Sequence, residues 1–597
     1  MSTHAPTRYV APFADGSRPA DTLGRMLLEA FDRNSGPAMR FRSGDAWVEW
    51  SFAEVGRMAT ELARGLVALG VRRGDRVAIL GGTCPNWTIA DCACLAAGAT
   101  VVPVYQSNSP GECRHVLAHS GASVVICEDE AQLAKIEAVR ADCPDLEHVL
   151  PFTDFGVLRE RGVAETSEEV LADRLAHVRA ADVATIVYTS GTTGPPKGCM
   201  LTHANCLFTA RVYEREFALT PPMTLFMFLP LAHALARMVQ MVSLEVGGTL
   251  AYWGGNPRLL LDDLIAARPT HFPSVPRVFE KVHTRALAHA SEGGALRRRM
   301  FDAALAIGRR TRRAESAGVA TAPLRAVHAV ADRVMLSKVR ALFGGELQVA
   351  LTGAAPIARD VLAFFDACGV LVLEGYGMSE TCAAGTINTP GAYRYGTVGR
   401  ALPGTAVMIA EDGEVLMRGP HVFDGYHSDE EATAEIFHGR WLASGDLGEL
   451  DADGFLRITG RKKDLIITSS GKNIAPANLE AALRESRWIS QAVVYGDRRP
   501  YLVALLTPDQ DEAPALAAEL GLEPDLAVLA ADPRVHELLA REVEAANQRF
   551  ARIEQVKRFS VLDHDLTEAA GEMTPTLKVR RPAVYEHYAD RFAELYE

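Results

Sequence analysis

The sequence has no apolar run of the roughly 18 to 20 residues that a bilayer-spanning helix needs. Its most apolar stretch, residues 89–104, is interrupted by Asp91, Gly98 and Pro103. The first 18 residues are polar and lack the apolar core of a secretory signal. These absences predict a protein that neither spans a membrane nor is exported, and we expect it in the cytoplasm.

Cysteines are few and scattered, with ten among 597 residues and no pair at the CxxC spacing of zinc or redox motifs. Cys92 and Cys94 lie closest together, and one intervening residue is too few for that spacing. We expect reduced thiols, because a chain of this length can bury a sufficient core without disulfides or structural metals.

Basic residues are fewer than acidic ones: the sequence has 62 Lys and Arg and 75 Asp and Glu, which gives a net charge of −13. Nucleic-acid binding depends on neutralising phosphates with a basic excess or a basic face. The composition therefore predicts no nucleic-acid partner. One local exception has helical spacing and fits a solvated face, an anionic membrane surface or an acidic cofactor: Arg297–Arg299, Arg309, Arg310, Arg312 and Arg313.

Short β-branched runs alternate with helical patterns through the first 460 residues, for example at 76–80, 100–104 and 183–188. This alternation predicts an α/β fold with parallel-rich sheets. Further along, Asp-Gly pairs at 412–413 and 453–454 stand between strand-like flanks, which predicts hairpins and a small β-barrel-like part.

A charged segment, residues 461–464, interrupts that pattern, and the chain beyond it has strands and helices of its own. We therefore predict a large N-terminal domain over residues 1–460, a boundary segment at 461–464 and a smaller α+β domain over 465–597.

A segment over residues 188–198 follows a predicted buried strand and reads YTSGTTGPPKG. Its glycines let backbone amides turn toward an anion, its Ser and Thr hydroxyls donate to it, and its lysine adds positive charge. It therefore predicts a phosphate-binding loop. The P-loop NTPase pattern requires Gly-Lys-Ser/Thr, and it is excluded because Pro196 precedes Lys197 and Gly198 follows it.

This loop resembles the phosphate loop of the adenylate-forming superfamily, which includes acyl-CoA synthetases, luciferases and peptide-synthetase adenylation domains. The other motifs of that family follow in the expected order, with TGAAP at 352–356, EGYGMSET at 374–381, SGD at 444–446, Arg461, and GEMTPTLK at 571–578. The resemblance covers nearly the whole chain.

The resemblance implies an ATP site in which Tyr376 stacks on the adenine and Asp446 accepts the ribose hydroxyls, assisted by Arg461. Glu380 and Thr192 would hold Mg²⁺, a cation that prefers oxygen ligands. Ser379 stands where most relatives have threonine. The residues implied for ATP binding are Thr189, Ser190, Gly191, Thr192, Thr193, Gly194, Lys197, Gly353, Ala354, Ala355, Glu374, Gly375, Tyr376, Gly377, Met378, Ser379, Asp446, Arg461 and Lys578.

The resemblance also implies three catalytic residues: Lys578, His233 and Lys197. Lys578 would bridge the substrate carboxylate and the α-phosphate, offsetting charge that develops in the transition state. Lys463 would be the hinge residue about which a mobile C-terminal domain rotates between two half-reactions.

Three further segments resemble bacterial long-chain fatty acyl-CoA synthetases: LPLAHALAR at 229–237, PSVPRVFEK at 273–281 and SGKNIAP at 470–476. They imply that His233 and Val275 line an acyl channel and that Gly471 admits the pantetheine arm of CoA. The resemblance implies that the substrates are ATP, CoA and a fatty acid of about C12 to C18. Burial of each CH₂ gains ~0.8 kcal/mol, so a long tail binds well in any deep apolar channel. The sequence leaves open a homodimer and peripheral contact with the inner face of the membrane.

Two other functions agree less well with the sequence. An adenylating enzyme that loads an acyl, aryl or amino acid onto a carrier protein is disfavoured, because no aspartate is placed to bind an α-amino group and the chain ends soon after Lys578. A catalytically silent nucleotide-binding or membrane-associated protein is opposed by Lys578, Glu380 and the phosphate loop. Consumption of free CoA tests the first alternative, and pyrophosphate exchange tests the second.

Overall fold

The computed structural model describes residues 8–11, 21–44, 46–189, 195–292, 294–469, 472–574 and 578–597. It confirms the predicted α/β class, with two parallel-rich sheets, a smaller antiparallel sheet and a separate C-terminal α+β domain.

The first parallel-rich sheet contains the predicted strands at 76–80, 100–104 and 183–188. Across the sheet, its strands within the described residues are Gly425–Tyr426, Lys197–Thr202, Val183–Thr189, Thr100–Tyr105, Arg76–Gly81, Ala122–Cys127 and His148–Pro151. Lys197–Thr202 runs antiparallel to both neighbours, and the remaining pairs are parallel. The strand Arg76–Gly81 is buried along most of its length, which explains its continuous apolar run.

The second parallel-rich sheet places two of the family motifs side by side. Its strands within the described residues are, in order, Arg400–Ala401, Thr386–Ile387, Leu371–Tyr376, Val349–Thr352, His271–Ser274, Thr224–Met227, Thr249–Tyr252, Pro37–Ser43 and Ala46–Ser51. Leu371–Tyr376 and Val349–Thr352 are parallel neighbours, so the loops that follow them leave from the same edge of the sheet.

The antiparallel sheet contains both predicted hairpins. Its strands within the described residues are Arg8–Val10, Ala406–Ile409, Glu414–Arg418, Trp441–Leu450, Phe437–His438 and Leu456–Arg461. The hairpin turns contain Gly413 at φ 87° and Gly454 at φ 82°, a left-handed conformation that favours glycine.

Helices cover these sheets and share with the two parallel-rich ones a continuous hydrophobic core. They are Leu23–Arg33, Phe52–Ala68, Pro85–Ala96, Pro110–Ser120, Glu130–Glu137, Phe155–Glu165, Glu168–His177, His203–Glu216, Ala234–Val246, Leu260–Ala267, Pro276–Glu292, Gly294–Ser316, Ala322–Ala331, Ser337–Ala341, Arg359–Ala367 and Glu430–Ile436. Residues between Ala288 and Phe343 are helical over most of their length. In the described ranges, no helix is both long enough and apolar enough to cross a membrane.

The C-terminal domain has hydrophobic cores of its own, one of them around Leu479, Leu506 and Leu539. Its strands are Ile466–Ile467, Asn473–Ile474, Ile489–Tyr495, Leu502–Pro508 and Val556–Val561, and its helices are Pro476–Leu483, Ala513–Leu520, Leu526–Ala531, Pro533–Asn547, Arg581–His587 and Ala589–Glu594.

Two ion pairs connect the helix Pro276–Glu292 to this domain. Arg277 Nη2 lies 2.5 Å from the Asp509 carboxylate, and Lys281 Nζ lies 2.5 Å from that of Asp511.

Candidate active site

Tyr376, Asp446 and Arg461, which come from three different strands, meet as the sequence predicts. Asp446 and Arg461 are register partners, with Arg461 Nε 3.4 Å from Asp446 Oδ1. The Tyr376 hydroxyl donates to Asp446 Oδ2 at 2.6 Å. Burial raises the pKa of the Asp446 carboxyl, and the Arg461 guanidinium opposes that shift. Because a carboxylate has about four acceptor sites, Asp446 can still accept two vicinal hydroxyls.

The two predicted adenine-binding loops are in close contact. Thr352, the last residue of its strand, is the register partner of Glu374, which lies two residues before the end of the neighbouring strand. A Cβ atom on Gly353 would approach the Gly375 carbonyl oxygen to 3.1 Å, so a side chain there would crowd the neighbouring loop. Ala354 has φ 70°, which turns the chain sharply before Ala355.

The second of these loops is tightly folded around Gly377. A Cβ on Gly377 would lie 2.7 Å from the backbone of Ala383, so a larger residue cannot occupy this position. Met378 and Ser379 then lead into a short 3₁₀ turn, Ser379–Thr381. The carboxyl group of Glu374 is buried, and burial raises its pKa to about 8.

Glu380, the predicted metal ligand, is buried at 7% exposure and held by a residue that the sequence analysis missed. The Tyr426 hydroxyl donates to Glu380 Oε1 at 2.7 Å. Lys197 Nζ lies 5.2 Å from the centre of the Tyr426 ring and 3.9 Å from Asp429 Oδ2. The lysine of the phosphate loop and the candidate metal ligand therefore contact the same tyrosine, the lysine over its ring and the glutamate at its hydroxyl.

The carboxylate of Glu380 fits Mg²⁺, because an oriented carboxylate oxygen is a ligand that this ion prefers. Within the described residues, no three His, Cys, Asp or Glu side chains cluster closely enough to hold a metal ion. An ion held by Glu380 would therefore need further ligands, which Mg²⁺ commonly takes from water and from nucleotide phosphates.

The two ends of the predicted phosphate loop are paired with each other. Thr189 and Lys197 are register partners on antiparallel strands. The predicted phosphate ligands between them lie outside the described residues: Ser190, Gly191, Thr192, Thr193 and Gly194.

Lys578 comes from the C-terminal domain and interacts with two predicted nucleotide-binding residues of the chain, Arg461 and Asp446. Its backbone N–H donates to Thr574 Oγ1 at 3.1 Å. The side chain is exposed to solvent, yet the surrounding protein lowers its pKa by desolvation, with a further contribution from Arg461 that Asp446 opposes. Lys578 therefore lies in a cleft that water can enter.

His233 is close enough to Lys578 to interact with its charge. Burial lowers its pKa to about 4, and the charge of Lys578 contributes to this shift. The neutral ring accepts a hydrogen bond at Nδ1 from the backbone of Leu235 at 3.2 Å. Its proton is therefore on Nε2, which can donate to a substrate oxygen.

His233 immediately precedes the helix Ala234–Val246, which is fixed by a buried polar network that the sequence analysis also missed. Arg237 Nε donates to both oxygens of Asp91 at 3.1 and 3.0 Å, and Gln240 donates to Asp91 at 3.0 Å. The side chains of Arg237 and Asp91 are 2% and 0% exposed. The sequence offered two signals for this network: Asp91 stands in an otherwise apolar helix, and Arg237 follows His233 in its motif. The two residues are 146 positions apart, so nothing local indicates that they pair.

A small apolar cavity of about 40 Å³ lies beside the helix Ala234–Val246. It is lined by the helix that follows His233, through Val239, Val242 and Ser243, and by the strand His271–Ser274. Val275, predicted in the channel wall, is buried and follows the lining residue Pro273 by two positions. The other lining residues are Tyr213, Phe217, Leu219, Met223, Leu225, Val349 and Leu351.

Lys463, the predicted hinge residue, is exposed between two anchored neighbours. Lys462 Nζ forms ion pairs with Asp412 at 2.6 Å and Glu414 at 2.9 Å, both in the antiparallel sheet region. On the other side, Asp464 lies 3.7 Å from Arg581 of the C-terminal domain. Gly471, predicted to admit pantetheine, lies outside the described residues.

Comparison with known proteins gives matches along most of the chain. Residues 30–427 match the family described as AMP-binding enzyme, and residues 463–597 match the AMP-binding enzyme C-terminal domain. Long-chain-fatty-acid--CoA ligase FadD15 of Mycobacterium bovis is 39% identical, over 98% of this chain and 98% of its own. Long-chain-fatty-acid--CoA ligase ACSBG2 of Xenopus laevis is 31% identical, over 97% of this chain and 84% of its own.

A solved structure shares the fold. The adenylation domain of a carboxylate reductase from Mycobacterium chelonae superposes with a TM-score of 0.75 at 21% identity, over 97% of this chain and 92% of that one.

Proposed function

The chain belongs to the AMP-binding enzyme family, and from this premise we propose that it is an ATP-dependent long-chain fatty acid–CoA ligase. It joins a fatty acid carboxylate to AMP with release of pyrophosphate, then transfers the acyl group to the thiol of CoA. The observation that carries the proposal is the position of Lys578. This lysine interacts electrostatically with Asp446 on the nucleotide side and with His233, which immediately precedes the cavity-lining helix Ala234–Val246.

In the first half-reaction, a carboxylate oxygen attacks the α-phosphorus of ATP and pyrophosphate leaves. Tyr376 and Asp446 hold the adenosine, and Lys197 neutralises phosphate charge. Lys578 bridges the carboxylate and the α-phosphate, so catalysis consists of positioning and charge stabilisation. Glu380 and Thr192 would hold Mg²⁺, which would supply positive charge to the phosphates when bound.

The neutral imidazole of His233 contributes in a different way. Its Nε2 donates a hydrogen bond to the substrate carboxylate, which orients the attacking oxygen without adding a charge that would weaken its nucleophilicity. Since its pKa is about 4, the ring keeps this donor role through the neutral pH range.

In the second half-reaction, the CoA thiol attacks the acyl carbon, and the bond to AMP breaks. Residues 461–464 form the hinge between the domains at 1–460 and 465–597, and Lys463 is the pivot. The ion pairs of Lys462 and Asp464 support this assignment because each belongs to one side of the pivot. Rotation brings Gly471 to the acceptor, where the absence of a side chain leaves room for pantetheine.

The long-chain preference is supported by the position of the cavity. Val239 and Ser243 lie six and ten residues beyond His233, which corresponds to about 9 to 15 Å along the helix. An acyl chain whose carboxylate is held at His233 would therefore reach the cavity only after several methylenes, each of which gains ~0.8 kcal/mol on burial. A short acid would leave the cavity unfilled.

We place the enzyme in the cytoplasm, in peripheral contact with the membrane into which long-chain fatty acids partition. Its substrates are the fatty acid, ATP and CoA, with Mg²⁺ as the cofactor.

The proposal is tested by AMP formation from MgATP with palmitate, laurate, octanoate, benzoate and amino acids, each with and without CoA. We expect CoA-dependent turnover that is fastest with palmitate or laurate. Val239→Phe should reduce kcat/KM for palmitate more than for octanoate because it fills the cavity, and Val239→Ile is the matched control. Adenylate formation that never yields a thioester would contradict the proposal and indicate a carrier-protein acceptor.

A further inference from the structure

A helical surface over residues 294–341 is left uncovered within the described part of the chain. The helix Gly294–Ser316 buries Phe301, Ala304 and Leu305 against the domain and exposes its opposite side. The helix Ala322–Ala331 packs beside it and has no buried residue, although six of its ten residues are alanine or valine. We call this surface the basic–apolar face.

The apolar part of this face is a stripe of large side chains in contact with water. Val327, Val330 and Val334 recur at spacings of three and four and are 52%, 65% and 42% exposed. Leu296 and Val319 are 73% and 66% exposed. Single exposed apolar residues are ordinary, but a contiguous stripe indicates an interaction site.

The basic part lies next to this stripe. Residues 294–341 contain ten Arg and one Lys against three acidic residues, a net charge of +8 in a chain whose total is −13. Arg299, Arg310 and Arg313 lie on the exposed side of their helix with Leu296, because their positions fall within about 100° on the helical wheel. In the described ranges these three arginines form no ion pair, whereas Arg312 pairs with Glu315.

We propose that the basic–apolar face docks on an anionic membrane surface. The arginines would contact lipid headgroups, and the valine and leucine side chains would enter the boundary between headgroups and acyl chains. A second copy of the chain is a poorer occupant, since a two-fold contact would bring the same +8 segment against itself. A nucleic acid would leave the apolar stripe exposed.

The location of the face is consistent with access to lipid. The helix Pro276–Glu292 begins just after the strand His271–Ser274, which lines the apolar cavity, and ends next to Gly294. One helix of about 25 Å thus separates the docking surface from the cavity.

The test is co-sedimentation of the full-length protein with vesicles, without substrates, so its outcome does not depend on the proposed ligase reaction. Vesicles of phosphatidylcholine alone are compared with vesicles containing about one third phosphatidylglycerol, at low and high salt. We expect binding to the anionic vesicles that weakens at high salt. The triple variant Arg299→Ala, Arg310→Ala, Arg313→Ala should lower the partition coefficient by about a hundredfold.

The apolar contribution is tested by Val327→Asp with Val330→Asp, which should lower the partition coefficient by about tenfold or more. The matched control is Val157→Asp with Val163→Asp on another helix, where these valines are 71% and 51% exposed. The control should bind as the wild type does, and circular dichroism should show both double variants folded.

Equal binding of the wild type and both face variants would overturn the proposal. So would a lipid-independent dimer that the Val327/Val330 variant abolishes, because the occupant would then be a second copy. Retention on nucleic acid together with no binding to anionic vesicles would overturn it as well.

Discussion

Replacing Arg237 by methionine should be among the most destabilising single changes in the large domain. The substitution leaves the Asp91 carboxylate, which is 0% exposed, with only Gln240 and no opposite charge. Removing one partner of a buried ion pair costs about 3 to 5 kcal/mol, a large part of a typical domain stability of about 5 to 15 kcal/mol. We expect a loss of that size for Arg237→Met.

Urea unfolding measures this loss, and Trp87 offers a local reporter because it is fully buried on the same helix as Asp91. Arg140→Met is the matched control, since Arg140 and Glu137 form an ion pair in which both side chains are about half exposed. Such pairs contribute about 0 to 1 kcal/mol.

The double variant Asp91→Leu with Arg237→Met removes both charges and should recover most of the stability. The reasoning would be refuted if Arg237→Met cost no more than Arg140→Met. A double variant as unstable as the single one would refute it equally.

Four further outcomes are expected. Lys578→Ala should slow adenylate formation by about 10² to 10³-fold while leaving CoA attack on a supplied acyl-adenylate; equal loss in both assays would exclude its bridging role. Lys463→Pro should retain pyrophosphate exchange but lose thioester turnover, because proline fixes φ at the pivot; normal turnover would remove it from the hinge. Tyr426→Phe should raise the Mg²⁺ concentration needed for half-maximal exchange by about tenfold, and an unchanged requirement would separate Tyr426 from the metal site. The pKa of His203 is lowered to about 4 by burial, and its Nδ1 accepts a bond from Leu23, so the folded state resists protonation below the ordinary pKa near 6.5. Because the unfolded chain binds this proton more readily, the free energy of unfolding should fall by about 2 kcal/mol between pH 7 and pH 5. Urea titrations at each pH measure this dependence, and His203→Gln should make it flatter.

The sequence predicted those parts of the fold in which the local residue pattern matches the burial and the turn geometry found in the structure. The run at 76–80 is a buried parallel strand, and the Asp-Gly pairs form the hairpins that their turn chemistry favours. The sequence did not predict which distant strands pair, because no local signal specifies such neighbours. Pro37–Ser43 and Thr249–Tyr252 are one such pair. Nor could an apolar helix such as Ala322–Ala331 be recognised as exposed, since its composition resembles that of a buried one.

The candidate site divides in the same way. Tyr376, Asp446 and Lys578 stand in motifs whose order along the chain identified them. Tyr426 contacts Glu380 and Asp91 contacts Arg237, across 46 and 146 residues. One sequence contains nothing that links such partners, and only the folded chain brings them together.

Lys462 and Asp464 each form ion pairs within one domain, so turning the chain at Lys463 leaves those pairs intact. The pairs Arg277–Asp509 and Lys281–Asp511 join the two domains and must separate in any large rotation. Dissolved ions screen the exposed Lys281–Asp511 pair most effectively. Under the proposed rotation about Lys463, ionic strength would therefore shift the population of the two domain orientations, and with it the half-reaction that limits the rate, without any change at the reacting atoms.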